Sequence, residues 1–366
     1  MNAELLQTRR EILRIMSSNH HHNGNGSNEL DIAATLQLQA APQIALHQRA
    51  EALRNSTFGR KVFVRGVVEV SNICRQNCKY CGMRRDNRDL DRYRISLDRL
   101  LDVVLNHRPP AITDINIQAG EDPVAVREIV IPLVREIRAK TNLGVSVCLG
   151  TLAHKEYAQL QEGGASYYII KVETGDEEHY NEMQAPGSLT QRLEAIRHLA
   201  STGWFVSSGM IVGLPRQTTK HIVKTLELLN ELPLTGCSVS PFIAGEQIPY
   251  ADQPAGDINV ALNAMAIMRL ARPNRIIPAV SAFNLVGKNG YTQALRAGAN
   301  LATINLTPDE WRENYLLYKR DRFIMNEKKV LGAIVEAGCT PSEESLSKFL
   351  QTRAATVSER EAGVNV

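Results

Sequence analysis

Three cysteines stand close together in NICRQNCKYCGMRRDN: Cys74, Cys78 and Cys81, spaced CxxxCxxC. The other three of the six, Cys148, Cys237 and Cys339, are isolated. Thiolates are soft ligands, and three of them can hold three irons of a cubane cluster, leaving the fourth iron open to a chelating small molecule. An open iron implies a cluster that binds a reactant. The alternative is structural zinc, which needs four ligands, commonly in paired CxxC spacings. No fourth Cys or His lies nearby in sequence, so a remote ligand would have to complete it. Crowded and isolated thiols together do not form a disulfide framework, so a reducing, cytoplasmic compartment is expected.

The elements that must position this motif are regular. VFVRGVVEVS runs directly into the cysteines. From Val62 onward, apolar β-branched runs alternate with longer amphipathic stretches. Strands are expected near 62–71, 112–119, 144–149, 166–173, 204–212, 236–243, 276–281 and 300–305. Helices are expected near 97–106, 124–139, 155–162, 189–201, 218–230, 257–271, 291–297 and 323–337. This alternation predicts an α/β fold, a (β/α)8 TIM-type barrel with an N-terminal helical extension. Its working residues should lie at the C-terminal strand ends. The expected division is a flexible and helical extension (1–55), the barrel (56–320) and a C-terminal helical segment and tail (321–366). Ser17 to Asn28, with His20, His21 and His22, reads as a polar linker. Helical spacing between Leu30 and Leu53, with Asn28 and Asp31 as caps, predicts one or two helices before the barrel.

The 366 residues are 43% hydrophobic, enough for a large core, and the net charge is only +3. Basic residues are scattered among acids, so no nucleic-acid partner is expected. Glu4 near the N-terminus and the lack of an 18-residue apolar run predict neither signal peptide nor membrane span.

At CxxxCxxC the chain resembles the radical S-adenosylmethionine (SAM) superfamily. The resemblance implies a [4Fe-4S] cluster on Cys74, Cys78 and Cys81 whose open iron binds SAM. It further implies reductive cleavage to a 5′-deoxyadenosyl radical, which abstracts hydrogen from a small-molecule substrate, with ferredoxin or flavodoxin as electron donor. From about Phe58 to about Tyr318 the likeness is to HydE-type [FeFe]-hydrogenase maturases, methylornithine synthase and biotin synthase. The resemblance implies Tyr80 beside the adenine, Gly120 and Glu121 in QAGEDP against the SAM amino group, and Glu173 in KVET on the ribose hydroxyls. Arg192 in SLTQRLEAI would pair with the SAM carboxylate through its forked donors, and the backbone around Met210 to Gly213 would line the adenine. Without the resemblance, these residues read as a loop glutamate, a solvated helix face and ordinary core.

Biotin synthase holds a second cluster on further cysteines and an arginine. Here Ser207 and Ala279 stand at two of those places, and Ser146 at a third with Cys148 displaced, so sulfur insertion is not expected. Gln118, Ser146, Ser208, Ser281 and Asn305 suggest a polar substrate pocket. Trp311, Tyr315 and Tyr318 match a family stretch that closes the barrel, placing Tyr315 and Tyr318 toward substrate or in an apolar lid. Cys148 and Cys237 read as inert buried thiols or as hydrogen-atom donors.

Overall fold

β1 (Lys61–Ser71) is the longest strand of the sheet, and it is buried along nearly its whole length because parallel strands are covered on both faces. In the computed structural model, which describes residues 31–319 and 324–363, six further strands follow it in parallel: β2 (Asp114–Ala119), β3 (Gly144–Cys148), β4 (Tyr167–Ile169), β5 (Phe205–Val212), β6 (Gly236–Pro241) and β7 (Leu301–Asn305). The polar stretch with His20 to His22, the Asn28 cap and the boundary at 320 lie outside the described residues. The spatial order is β6-β5-β4-β3-β2-β1-β7. The helices between strands fall where the amphipathic spacing put them, among them Leu97–Asn106, His154–Glu162, Leu189–Ser201 and Thr219–Glu231.

The expected strand at 276–281 differs. It makes bridges rather than a ladder, Gly236 to Ile276 on one side and Pro278 to Leu301 on the other. Cys237 N donates to Ile276 O (2.9 Å) and Ala279 N donates to Leu301 O (2.9 Å), so the segment closes the ring between β6 and β7 at its base. Pro278 has no N–H to continue a ladder. The result is a curled seven-stranded sheet of TIM type, joined at its foot. A second irregularity has the same cause: the helix expected at 124–139 passes through a π turn (Val126–Val130) immediately before Pro132, which lacks the donor for the usual bond.

The extension before the barrel contains two helices, Ile32–Leu36, capped by the Asp31 side chain, and Ala40–Phe58. The latter covers helix Ile258–Ala271, which is buried from Ala261 onward and apolar there except for Asn263 and Arg269. After the barrel, β8 (Thr340–Pro341) pairs with the start of β1, and helix Leu346–Gly363 sits beneath the base. Asp114, at the start of β2, caps that helix by accepting from Leu346 N (2.7 Å) and Ser347 N (3.2 Å). These contacts fix the lower end of the barrel and leave the upper end to the loops.

Candidate active site

The loop from 72 to 96 leaves β1 at the upper end and brings Cys74, Cys78 and Cys81 to the rim of one cavity. All three are free thiols. Burial pushes each above the ordinary thiol range, Cys81 to about 12, so metal binding there must displace protons. Among the described residues no three His, Cys, Asp or Glu side chains close around a point as a single-ion site does. Asn72 secures the entry to the loop: its side chain accepts from Tyr93 N (2.8 Å) and donates to Asp91 O and Asn314 O (both 2.7 Å).

The end of β2 touches this loop directly. A Cβ on Gly120 would lie 2.3 Å from Ile73 O and 2.9 Å from Cys74 Cβ, so only glycine allows the approach. The next residue, Glu121, donates its N–H to Cys74 Sγ (3.4 Å). Its buried carboxylate accepts from Gln76 Nε2 (2.6 Å), Arg75 Nε (3.3 Å) and Arg192 Nη2 (3.2 Å). Arg192 occupies the first turn of helix Leu189–Ser201, whose start is fixed by a capping box between Ser188 and Gln191. Its Nε is buried without a partner.

Glu173 follows β4 with φ of 66°, a left-handed conformation that costs a non-glycine residue about 1–3 kcal/mol. Bonds on both sides impose it: Glu173 N donates to Gly209 O (2.9 Å) and Ile211 N donates to Glu173 O (3.0 Å). The turn aims the carboxyl into the cavity, where Oε2 is buried and unpartnered. Burial pushes this carboxyl above its ordinary range, against the pull of Lys171 and Arg192.

The cavity measures about 350 Å³, within the size range of small-molecule sites. Tyr80, Gly120, Glu121, Glu173 and Arg192 line it with the three cysteines, as do Gln118, Ser281, Asn305, Tyr315 and Tyr318. Ser281 Oγ and Tyr318 Oη are 3.2 Å apart. Ser146, Ser208 and Met210 do not line it. Ser146 bonds to Asn116 Oδ1 (3.0 Å), Ser208 Oγ accepts from Val172 N (3.2 Å), and the Met210 side chain packs in the core. Ser208 and Met210 alternate with the inward residues of β5, so the pleat turns them away.

A family model described as "Radical SAM superfamily" matches residues 68–229. The [FeFe] hydrogenase maturase subunit HydE of Thermotoga maritima is 32% identical over 75% of this chain and 78% of that protein. The chain belongs to the radical SAM superfamily. A 3-methylornithine synthase of Methanosarcina acetivorans is 26% identical over 80% of this chain and 83% of its own length, and a biotin synthase of Clostridium tetani 25% over 70% and 79%. Among solved structures, that of methylornithine synthase superposes with a TM-score of 0.78 over 93% of this chain and 99% of its own, at 21% identity, which supports the fold.

Radical SAM enzymes use a [4Fe-4S] cluster and SAM, and the site fits both. Three grouped thiols face a cavity, an orphaned carboxylate oxygen offers an acceptor, and an orphaned guanidinium N–H offers a donor. Deeper in the barrel are residues that sequence reading did not single out: Arg65 and Glu69 on β1, Lys171 after β4. A signal for the first two was present. In the apolar run VFVRGVVEV, Arg65 and Glu69 share the inward parity of the strand, and a charge there has no structural reason to be buried.

Proposed function

We propose that this radical SAM enzyme binds its cluster through Cys74, Cys78 and Cys81, holds SAM with Glu121, Glu173 and Arg192, and acts on a small molecule bearing an anionic group. When bound, the reduced cluster supplies one electron to SAM, whose cleavage yields the 5′-deoxyadenosyl radical that takes hydrogen from substrate.

This chain's residues divide the remaining work. The unpartnered Glu173 Oε2 accepts from hydroxyl groups such as those of a ribose. Arg192 presents its free Nε to a carboxylate, with Glu121 on its other side to receive an ammonium. Tyr80, packed between two apolar clusters, closes the cluster side against water. Residues 56–320 form the catalytic unit in this reading, the extension and the C-terminal segment bracing it. A ferredoxin or flavodoxin is the proposed electron donor.

The single observation behind the substrate class is Arg65. Its Nε donates to Thr303 Oγ1 (3.0 Å), and among the described residues it and Lys171 form no salt bridge, although both line the cavity. A guanidinium in a barrel without a carboxylate partner is a costly feature that an anionic ligand relieves. The likeness to HydE and 3-methylornithine synthase is consistent with an amino acid or a molecule built from one. Sulfur insertion of the biotin synthase kind is disfavoured, since Cys148 is the one further cysteine lining the cavity among the described residues.

The test is a panel of small carboxylates and matched neutral analogues, scored by stimulation of 5′-deoxyadenosine release. Carboxylates should stimulate the wild type and fail with Arg65→Met, while release without substrate stays unchanged. Equal stimulation by neutral analogues, insensitive to Arg65→Met, would overturn the substrate class.

A further inference from the structure

The cysteine loop is a long stretch of irregular backbone, and such a stretch needs ties of its own for its polar groups. Arg92 supplies four. Its Nη1 donates to Asn72 O (2.7 Å) and Met83 O (2.9 Å), and its Nη2 donates to Arg84 O (2.7 Å) and Asn87 O (2.9 Å). These carbonyls bracket the motif, Asn72 standing just before Cys74 and Met83 just after Cys81. The guanidinium is half-buried, and among the described residues it has no salt bridge, so its charge is not neutralised locally. Two of the carbonyls it holds belong to residues only two positions from Cys74 and Cys81, so its charge stands beside the motif.

We infer that Arg92 is a positioning residue for the cluster, its two forked N–H pairs holding the three cysteines in one arrangement and its charge favouring the reduced state of the bound cluster. This rests on the cysteines being the cluster ligands. Reduction adds one electron, and a nearby cation stabilises the more negative state. Cluster potentials respond to such charge and to solvent exposure. Lysine keeps the charge but cannot reproduce two planar forks.

The experiment compares wild type, Arg92→Lys and Arg92→Gln as full-length chains, reconstituted anaerobically. Iron content, resistance to a chelator and the midpoint potential by EPR-monitored titration are read before any activity assay. Arg92→Gln should lower the reduced-to-oxidised ratio at fixed potential about tenfold, which is about 59 mV for one electron. Arg92→Lys should titrate with the wild type yet lose iron to the chelator several-fold faster. If Arg92→Gln takes up no iron while Arg92→Lys does, the positioning role is supported, and the charge role is read from Arg92→Lys, where a potential about 59 mV below the wild type's counts against it. Wild-type potential in Arg92→Gln overturns the charge role, and wild-type chelator resistance in both variants overturns the positioning role. A wild-type chain that binds no iron refutes the cysteine assignment instead, which separates the two failures.

Discussion

Arg269 and Arg192 are both enclosed guanidinium groups, one at the base of the barrel and one at its mouth, and they are used in opposite ways. Arg269 donates to Gly298 O (2.9 Å), Pro273 O and Arg275 O (both 2.7 Å) and Asn300 Oδ1 (2.9 Å). Every partner is neutral; burial, aided by the neighbouring charges of Arg54 and Arg275, brings its pKa down to about 9. Arg192 is as deeply buried, but Glu121 and the Tyr180 hydroxyl outweigh the burial and hold it above its ordinary value. It also leaves Nε without a partner. Arg269 uses its charge to tie backbone together, as Arg92 does in the cysteine loop, whereas Arg192 keeps a polar atom available inside the cavity. Two further orphans near the base, Arg275 Nε and Asn300 Nδ2, belong to side chains otherwise bonded, and neither residue lines the cavity.

The contrast can be broken by substitution. The largest effect is expected at the base, where Arg269→Met leaves several buried acceptors without a donor. Stability should fall by about 3–5 kcal/mol in urea unfolding, with SAM affinity of the folded fraction unchanged. At the mouth the pattern should reverse. Arg192→Met should weaken SAM binding about a hundredfold, about 2.7 kcal/mol by calorimetry, with a smaller change in unfolding because Gln76 and Arg75 still serve Glu121. A smaller loss, about tenfold or about 1.4 kcal/mol, is expected for Glu173→Gln, which keeps the shape but weakens the acceptor. Should Arg192→Met cost more stability than Arg269→Met, the distinction between the two ends fails.

The smallest effect is a pH dependence at the mouth. His179 ties the loops after β4 and β5 together, its ring nitrogens lying 2.9 Å from Thr174 Oγ1 and 2.9 Å from Pro215 O. Burial lowers its pKa, helped by His221 and Arg216 and opposed by the Pro215 carbonyl and Asp176. The unfolded chain therefore binds the proton more readily than the folded one. Its contribution to stability is present above the unfolded value of about 6.5 and lost as pH falls through the folded one. Thermal midpoints at pH 7.5 and pH 5.5 should differ more in the wild type than in His179→Gln; an equal difference would remove His179 from the account.

Much of this was legible in the sequence. Apolar runs on a regular spacing marked the strands, and the helix at Leu97–Asn106 was bounded by its pattern. The segment at 276–281 read as a strand because Ile276 and Ile277 look like one; Pro278 and the bridging role between β6 and β7 depend on where the ring closes, which no local pattern records. Among the site residues, motif positions brought Glu121, Glu173 and Arg192 to one cavity, because each follows or begins an element at the same end of the barrel. Ser208 was misplaced by one step of the pleat, a register that spacing alone does not fix. The role of Arg92 is not legible in the sequence, because its partners are backbone carbonyls, which leave no trace in side-chain identity.

The central claim is that three cysteines and a SAM-holding constellation form one site. Its most direct measurement is anaerobic reconstitution followed by iron analysis and 5′-deoxyadenosine release with dithionite and SAM. The expected result is about four irons per chain with release of 5′-deoxyadenosine, both lost together in Cys78→Ser. One zinc and no iron, or a fully loaded cluster that releases no 5′-deoxyadenosine, would contradict it.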